Sequence, residues 1–284
     1  MDISAEQVRE LRERSGAGLM DCKRALQDAG GDLDKAHDVL RKSGVVKAAK
    51  KAGRATLEGL VAEAHDSDHQ SAAIIEMSCE TDFVARTDEF QKWVTDISQH
   101  ILKQRPQDLA QLLEQPWEGG ISVKEGLVRL IAKLGENMEI RRFALSQAGA
   151  GEQVASYLHM GAKIGAVIRV QGKVSVAVLR EVAMHIAALS PRYLDRSQVP
   201  ADVIEKEKEI LKAQPEMSSK PAHLLEKILE GKINRFFSEV CLVDQPFIKD
   251  ATGKKTVGAF LQEQDPQAKA TQMIRFQVGG EMHG

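Results

Sequence analysis

A chain of 284 residues with 28 % charged side chains and a formal net charge of −2 carries no global basic field, which argues against a bulk nucleic-acid binder. Its length exceeds one ordinary hydrophobic core, so two or three compact units are expected. No apolar run approaches the roughly 18 to 20 residues of a membrane span, the opening M-D-I-S-A-E-Q lacks the basic and apolar regions of a signal peptide, and the expectation is a cytoplasmic protein.

In chain order, Ser4 and Gln7 make a capping-box signature ahead of an apolar stripe through Val8 and Leu11 that stops at Ser15-Gly16, which predicts a first helix. A second helix starts after Gly18, with Leu19, Cys22, Leu26 and Ala29 at helical spacing, and ends at Gly30-Gly31. Asp32 caps a third, whose stripe of Leu33, Ala36, Val39 and Leu40 runs to Gly44. Residues 1–45 therefore read as a three-helix bundle with a thin core. On the second helix Met20 shares the polar face with Lys23, Arg24 and Gln27. An adaptable methionine beside a cation suits a partner surface, and an isolated exposed apolar residue is the plain alternative. Residues 46–55 form a basic linker with Lys47, Lys50, Lys51 and Arg54, either a phosphate-binding segment or, with no interleaved aromatics, a solvated linker helix.

Residues 56–147 begin with two antiparallel strands, 57–64 and 72–79, around a polar turn at 66–70, and continue with a helix carrying Trp93, Val94, Ile97 and Ile101. Helical pattern at 109–113 and 123–134 and a strand at 138–145 follow. Residues 148–284 open with strands at 154–159 and 162–171, joined through Met160-Gly161, and a helix at 174–189. After Ser190-Pro191 two charged helices, 200–213 and 221–229, linked by the polar 214–220, predict an antiparallel helical hairpin inserted at about 191–231. Helical sequence continues to Val240, then come Q-P-F-I, a short helix at 256–262 and a closing strand with Ile274, Phe276 and Val278 on one face. The fold class is α+β.

Two segments of the chain can be superposed. Ile74, Ile75 and Met77 match Val167, Ile168 and Val170 at a separation of 93 positions, whereas Val94, Ile97, His100 and Ile101 match Leu179, Val182, His185 and Ile186 at 85, so the first copy holds eight extra residues. They fall between strand and helix, at T-D-F-V (81–84) within S-C-E-T-D-F-V-A-R. A loop held by rigid flanks is where a scaffold carries function. Spacing alone leaves Phe83 either tucked inward, with Asp82 as helix cap, or offered to a partner.

No catalytic constellation accompanies this architecture. A-T-G-K-K-T at 251–256 lacks the earlier glycine of a phosphate-binding loop, Gly16 and Gly18 lack a third glycine at dinucleotide spacing, and neither H-E-x-x-H nor G-x-S-x-G occurs. Cys22, Cys79 and Cys241 are too scattered for a zinc knuckle or disulfide framework and read as small buried residues. His159 and His185 are the best-placed histidines, and a structural role is the default for each. The residues describe an interaction protein with no cofactor or metal of its own.

The stretches L-R-E-R-S-G-A-G-L-M-D-C-K-R-A-L (11–26), K-A-A-K-K-A-G (47–53), T-D-F-V, G-E-N-M-E-I-R-R (135–142), S-Y-L-H-M-G (156–161) and K-T-V-G (255–258) together resemble bacterial elongation factor Ts, in order and over nearly the whole chain. The resemblance implies a guanine nucleotide exchange factor for elongation factor Tu, with GDP and magnesium bound by that partner. It also implies a ubiquitin-associated-like N-terminal bundle, a two-part core and a dimerisation hairpin. By position, it puts Thr81, Asp82, Phe83 and Val84 near the partner's magnesium site, and further contacts on Arg12, Leu19, Met20, Lys23, Gly135, Asn137 and His159. Many members continue past the last strand into a further helix that touches the partner, whereas this sequence runs to Gly284. The alternative is a translation-associated module that contacts RNA through the basic linker, with T-D-F-V purely structural.

Overall fold

The structure, a computed structural model, describes residues 3–214 and 222–280, the side chains of 222–224 excepted. Its elements are α1 (Ala5–Ser15), α2 (Leu19–Asp28), α3 (Leu33–Lys51), β1 (Glu58–His65), β2 (Ser71–Cys79), α4 (Asp82–Ala85), α5 (Asp88–Gln104), α6 (Leu109–Glu114), α7 (Val123–Leu134) and β3 (Met138–Gln147), then β4 (Glu152–Leu158), β5 (Ile164–Gln171), α8 (Val176–Leu189), α9 (Ala201–Lys212), α10 (Ala222–Val240), α11 (Val257–Gln264) and β6 (Lys269–Gln277). Two three-stranded antiparallel sheets, β1-β2-β3 and β4-β5-β6, make this an α+β protein. The described residues divide into two compact units, one holding the chain up to Ala62, Ile75–Phe143 and the residues from Gln277, the other Glu63–Ile74 and Ala144–Phe276.

The first unit begins with α1, α2 and α3. Ser4 Oγ accepts from the Gln7 amide at 3.1 Å while Gln7 Oε1 accepts from the Ser4 amide at 3.0 Å, so two otherwise unpaired donors at the helix start are satisfied. Gly16, at φ 66°, closes α1, and Asp32 Oδ1 accepts from the Asp34 and Lys35 amides to open α3. Leu11, Cys22 and Leu26 are fully buried in the shared core with Val8, Ala25 and Ala36. α3 differs from the sequence expectation: it does not end at Gly44 but runs on to Lys51, so residues 46–51 of the basic linker are its last turns. The glycine's backbone faces α7, where a β-carbon on it would sit 3.6 Å from that of Ala132. The residue that reads as a terminator serves instead inside a helix, at its contact with α7.

In the second unit β4 and β5 pair from Glu152↔Gln171 to Leu158↔Gly165. The turn between them holds five residues, not the two of Met160-Gly161, because pairing stops at Leu158 and Ala162 takes a left-handed φ of 52° beside Gly161 at 82°. The core joins Ile168, Leu179, Val182 and Ile186 to Leu242, Phe247, Val257 and Leu261. α9 and α10 pack together, and of the connecting segment predicted at 214–220 all but Gln214 lies outside the described residues. At their root the Arg192 and Tyr193 amides donate to Val240 O at 2.9 and 3.0 Å, and the Leu242 amide to Tyr193 O at 2.9 Å. Cys241 is buried in this root, and burial pushes its thiol up to about 11.

The internal repeat reaches further than its hydrophobic pairs. The turns after β1 and β4 carry the same two bonds, Asp66 N to Ser71 O with His69 N to Asp66 O, and His159 N to Ile164 O with Ala162 N to His159 O. His69 and Ala162 share a left-handed φ, as do Arg105 and Ser190, which close α5 and α8. His100 Nε2 lies 2.9 Å from Gln115 Oε1, and His185 Nε2 lies 2.8 Å from Gln245 Oε1. Each of these glutamines opens a Q-P-aromatic stretch whose backbone pairs identically: Trp117 N to Ile121 O and Val123 N to Gln115 O in one copy, Phe247 N to Lys255 O and Val257 N to Gln245 O in the other. α7 therefore corresponds to α11 and β3 to β6. The packed helices α9 and α10 stand where the first copy has α6.

Candidate functional site

The eight extra residues of the first copy become α4 and the first turn of α5. Thr81 caps α4, its Oγ1 accepting from the Val84 amide at 3.4 Å, while the Ala85 and Arg86 amides donate to Thr81 O and Asp82 O at 3.3 and 3.1 Å. Asp82 is thus the first residue of the turn, not its cap. Val84 and Ala85 take the inward side and are buried, which turns Phe83 outward with 81 % of its surface exposed. Leaving a phenyl ring in water forgoes about 1.5–3 kcal/mol of burial. Among the described residues nothing covers the ring. Asp82 pairs with Arg86 at 2.8 Å on the exposed side, a contact worth little in water.

The turn is fixed from behind. Glu136, just after α7, takes the Thr81 amide on Oε2 at 2.9 Å and the Thr81 hydroxyl on Oε1 at 2.5 Å. In return Glu80 Oε1 accepts from the Asn137 amide at 2.6 Å and faces Arg54 at 3.4 Å, while Asn137 Nδ2 donates to Arg54 O at 2.9 Å. Cys79 Sγ donates to Thr81 O at 3.1 Å. Burial, with Arg54 beside it, holds the Lys51 ammonium below its ordinary range. Three segments far apart in sequence, 51–54, 79–81 and 135–137, meet under the turn that displays Phe83.

Of the other residues singled out by sequence, Arg12, Leu19, Met20 and Lys23 are exposed on the bundle, Met20 to 64 %. Gly135 closes α7 at φ 85°, and Asn137 is buried in the bonds just described, so within this chain its amide serves the turn. His159 lies in the second unit, exposed at the β4–β5 turn, with Nδ1 3.5 Å from the Tyr157 hydroxyl. In the basic stretch, Lys47 pairs with Asp21 at 2.8 Å and Arg54 with Glu80 at 3.4 Å, which occupies two of the four cations that a phosphate contact calls for. A cavity of about 220 Å³ lies among the Ser15–Gly18 turn, α3 and α7. Among the described residues no group of three or more His, Cys, Asp or Glu is arranged to hold a metal, and no helix is long and apolar enough to cross a membrane. Sequence reasoning missed Glu136 and Glu80. The G-E-N motif was in view, but its use depends on a partner 55 positions away.

Comparison with known proteins places this geometry in context. Residues 80–280 match the family model described as Elongation factor TS. The chain is 45 % identical to the elongation factor Ts of a Nitratiruptor species over 98 % of its own length and 94 % of that protein's. It is 43 % identical to the elongation factor Ts of Methylococcus capsulatus and 42 % identical to that of Thioalkalivibrio sulfidiphilus, each over 98 % of this chain and 93 % of the relative.

Proposed function

The chain belongs to the elongation factor Ts family, nucleotide exchange factors of translation elongation, and on that premise we propose that it releases GDP from elongation factor Tu by pressing Phe83 into the partner's GTPase domain beside the bound magnesium. The observation that carries this reading is the exposed phenyl ring on a turn held by its own base. Such a ring buries roughly 150 to 250 Å² on insertion, which at about 25 cal/mol per Å² bounds its contribution near 4 to 6 kcal/mol. That is enough to displace partner helices. Asp82 brings a carboxylate to a site that holds phosphate and magnesium, where it weakens the grip on the nucleotide by repulsion or by capturing a partner donor.

Exchange by this route is antagonism of binding, and linkage makes it reciprocal: a factor that weakens the hold on nucleotide and magnesium is itself displaced by them. Excess GDP with magnesium is expected to dissociate the complex, and an affinity indifferent to nucleotide contradicts the mechanism. The N-terminal helices, read as a ubiquitin-associated-like bundle, supply affinity. Burial of Met20 at that contact contributes on the order of 1 to 3 kcal/mol to association. His159 belongs to a second contact made by the other unit.

The deciding experiment is stimulated release of labelled GDP from purified elongation factor Tu. Phe83→Ala is expected to slow release at least about tenfold, equivalent to about 1.4 kcal/mol of barrier, with its melting temperature nearly unchanged. Full exchange activity in that variant, or a loss of several kcal/mol of folding stability, returns Phe83 to a structural role.

A further inference from the structure

We infer that Glu136 is a positioning residue for exchange, acting through Phe83 by fixing the turn from which the ring projects; this rests on the exchange reading above. Phe83 is largely exposed, so its aim is set by α4, whose Val84 and Ala85 pack inward and decide which side the ring takes. α4 is a single turn of four residues, too short to hold its own direction. Its internal bonds, Ala85 N to Thr81 O and Arg86 N to Asp82 O, set the shape of the turn and say nothing about where it points. From its cap the turn reaches outward through the pair of bonds that Thr81 makes to the Glu136 carboxylate, amide to Oε2 and hydroxyl to Oε1.

Two acceptor atoms on one rigid carboxylate take two donors of one residue. That arrangement fixes both position and rotation of the Thr81 peptide, where a single bond would leave a hinge. Glu136 is itself anchored, since Asn137 beside it donates its amide to Glu80 at 2.6 Å and its side chain to Arg54 O at 2.9 Å. The two donors of Thr81 call for two acceptor oxygens on one group, which a carboxylate presents. Glutamine, with one acceptor oxygen and an NH₂ set against a donor, does not reproduce the pair. An insertion mechanism needs such a hold, because a ring free to swivel loses the alignment that lets its burial act on the partner.

The test measures labelled GDP release from elongation factor Tu at saturating factor, for Glu136→Gln in the natural chain and in the Phe83→Ala background. Expected is a fall of about fivefold in the maximal rate, with the half-saturating concentration moved less than about twofold, and no further fall when Phe83 is already alanine. The same fold-loss in both backgrounds, or a shift in half-saturation with the maximal rate intact, overturns the inference. If Phe83→Ala itself exchanges at the full rate, the exchange reading fails. If Phe83→Ala is slow and Glu136→Gln is not, only the positioning role fails. Amide hydrogen exchange decides the case where a variant loses stability. Lost protection at Thr81 with Ile74–Met77 unchanged supports the clamp, while unchanged protection at Thr81, or a general loss through β2, overturns it.

Discussion

The two copies of the core unit share their strands, their main helix, a histidine–glutamine bond and a Q-P-aromatic clasp, and they differ at two joints. At the strand-to-helix joint the first copy carries α4 and the exposed Phe83. The second closes the same joint with Gly172, packed at φ 114° where a β-carbon would meet Ala268, and with the Lys173 amide bonded to Asp265 Oδ2 at 2.7 Å. A strand-helix unit of this kind thus packs without the extra residues. The proposed contact with a partner accounts for their presence in one copy, and the neighbouring copy acts as the internal control.

The strongest way to break this comparison is to make the first joint like the second by deleting the eight residues. The bound of about 4 to 6 kcal/mol on the inserted ring makes a loss on the order of a thousandfold in exchange rate the expected result, with the fold retained. A folded, active deletion variant ends the argument. Next in size are the matched core positions Ile101 and Ile186, both fully buried, where alanine is expected to cost about 2–5 kcal/mol in either copy. Denaturant titration that finds one loss more than twice the other shows the copies to be unequal as structures.

Smaller effects sharpen the comparison at the paired histidines. His185 accepts from the Ile248 amide on Nδ1 at 3.1 Å and therefore donates from Nε2 to Gln245, whereas His100, half-buried beside Trp117, is bonded among the described residues to Gln115 alone. Gln245→Ala leaves a buried donor without its acceptor and is expected to cost about 1–3 kcal/mol, and Gln115→Ala about 0.5–1.5. Burial lowers both histidines from their ordinary 6.5, against the opposing pull of each glutamine bond. A histidine kept neutral in the fold binds protons more readily when unfolded, so its share of stability is whole above about pH 6.5 and declines as pH falls below it. Replacing His185 by glutamine is expected to flatten that decline in thermal scans between pH 7.5 and 5.5, more than the same change at His100. A decline that steepens contradicts the neutral assignment.

Elements with their own punctuation were legible in the sequence: the Ser4–Gln7 capping box, Asp32 before α3, and the strand and main helix of the repeat, whose buried pairs Ile74/Val167 and Ile97/Val182 need only hydrophobic spacing to be seen. Gly44 was misread because a glycine at a contact between helices looks the same as one that ends a helix. The second half of the repeat went unseen because α9 and α10 separate His185 from Gln245 by 60 positions, where His100 and Gln115 are 15 apart. At the candidate site, Phe83 was found but its direction was not, since that depends on Val84 and Ala85 claiming the inward side. Glu136 stayed hidden for the same reason: its meaning is a contact, and contacts between distant segments have no local spelling.

The fastened root of α9 and α10 bears on how such a chain can change over time. Tyr193 bridges Cys241, so everything between them is a loop whose ends are already fastened. Chain statistics make such a loop cheap to extend, with each doubling in length adding only about 0.6 kcal/mol of closure entropy. Matched gains or losses of helical turns in α9 and α10 leave the unit beneath them intact, so their length is free to drift between lineages. The α4 turn has no such freedom. One added residue rotates every later position of the turn by about 100°, a step of the 3.6-residue helix, and swings the ring out of its present direction.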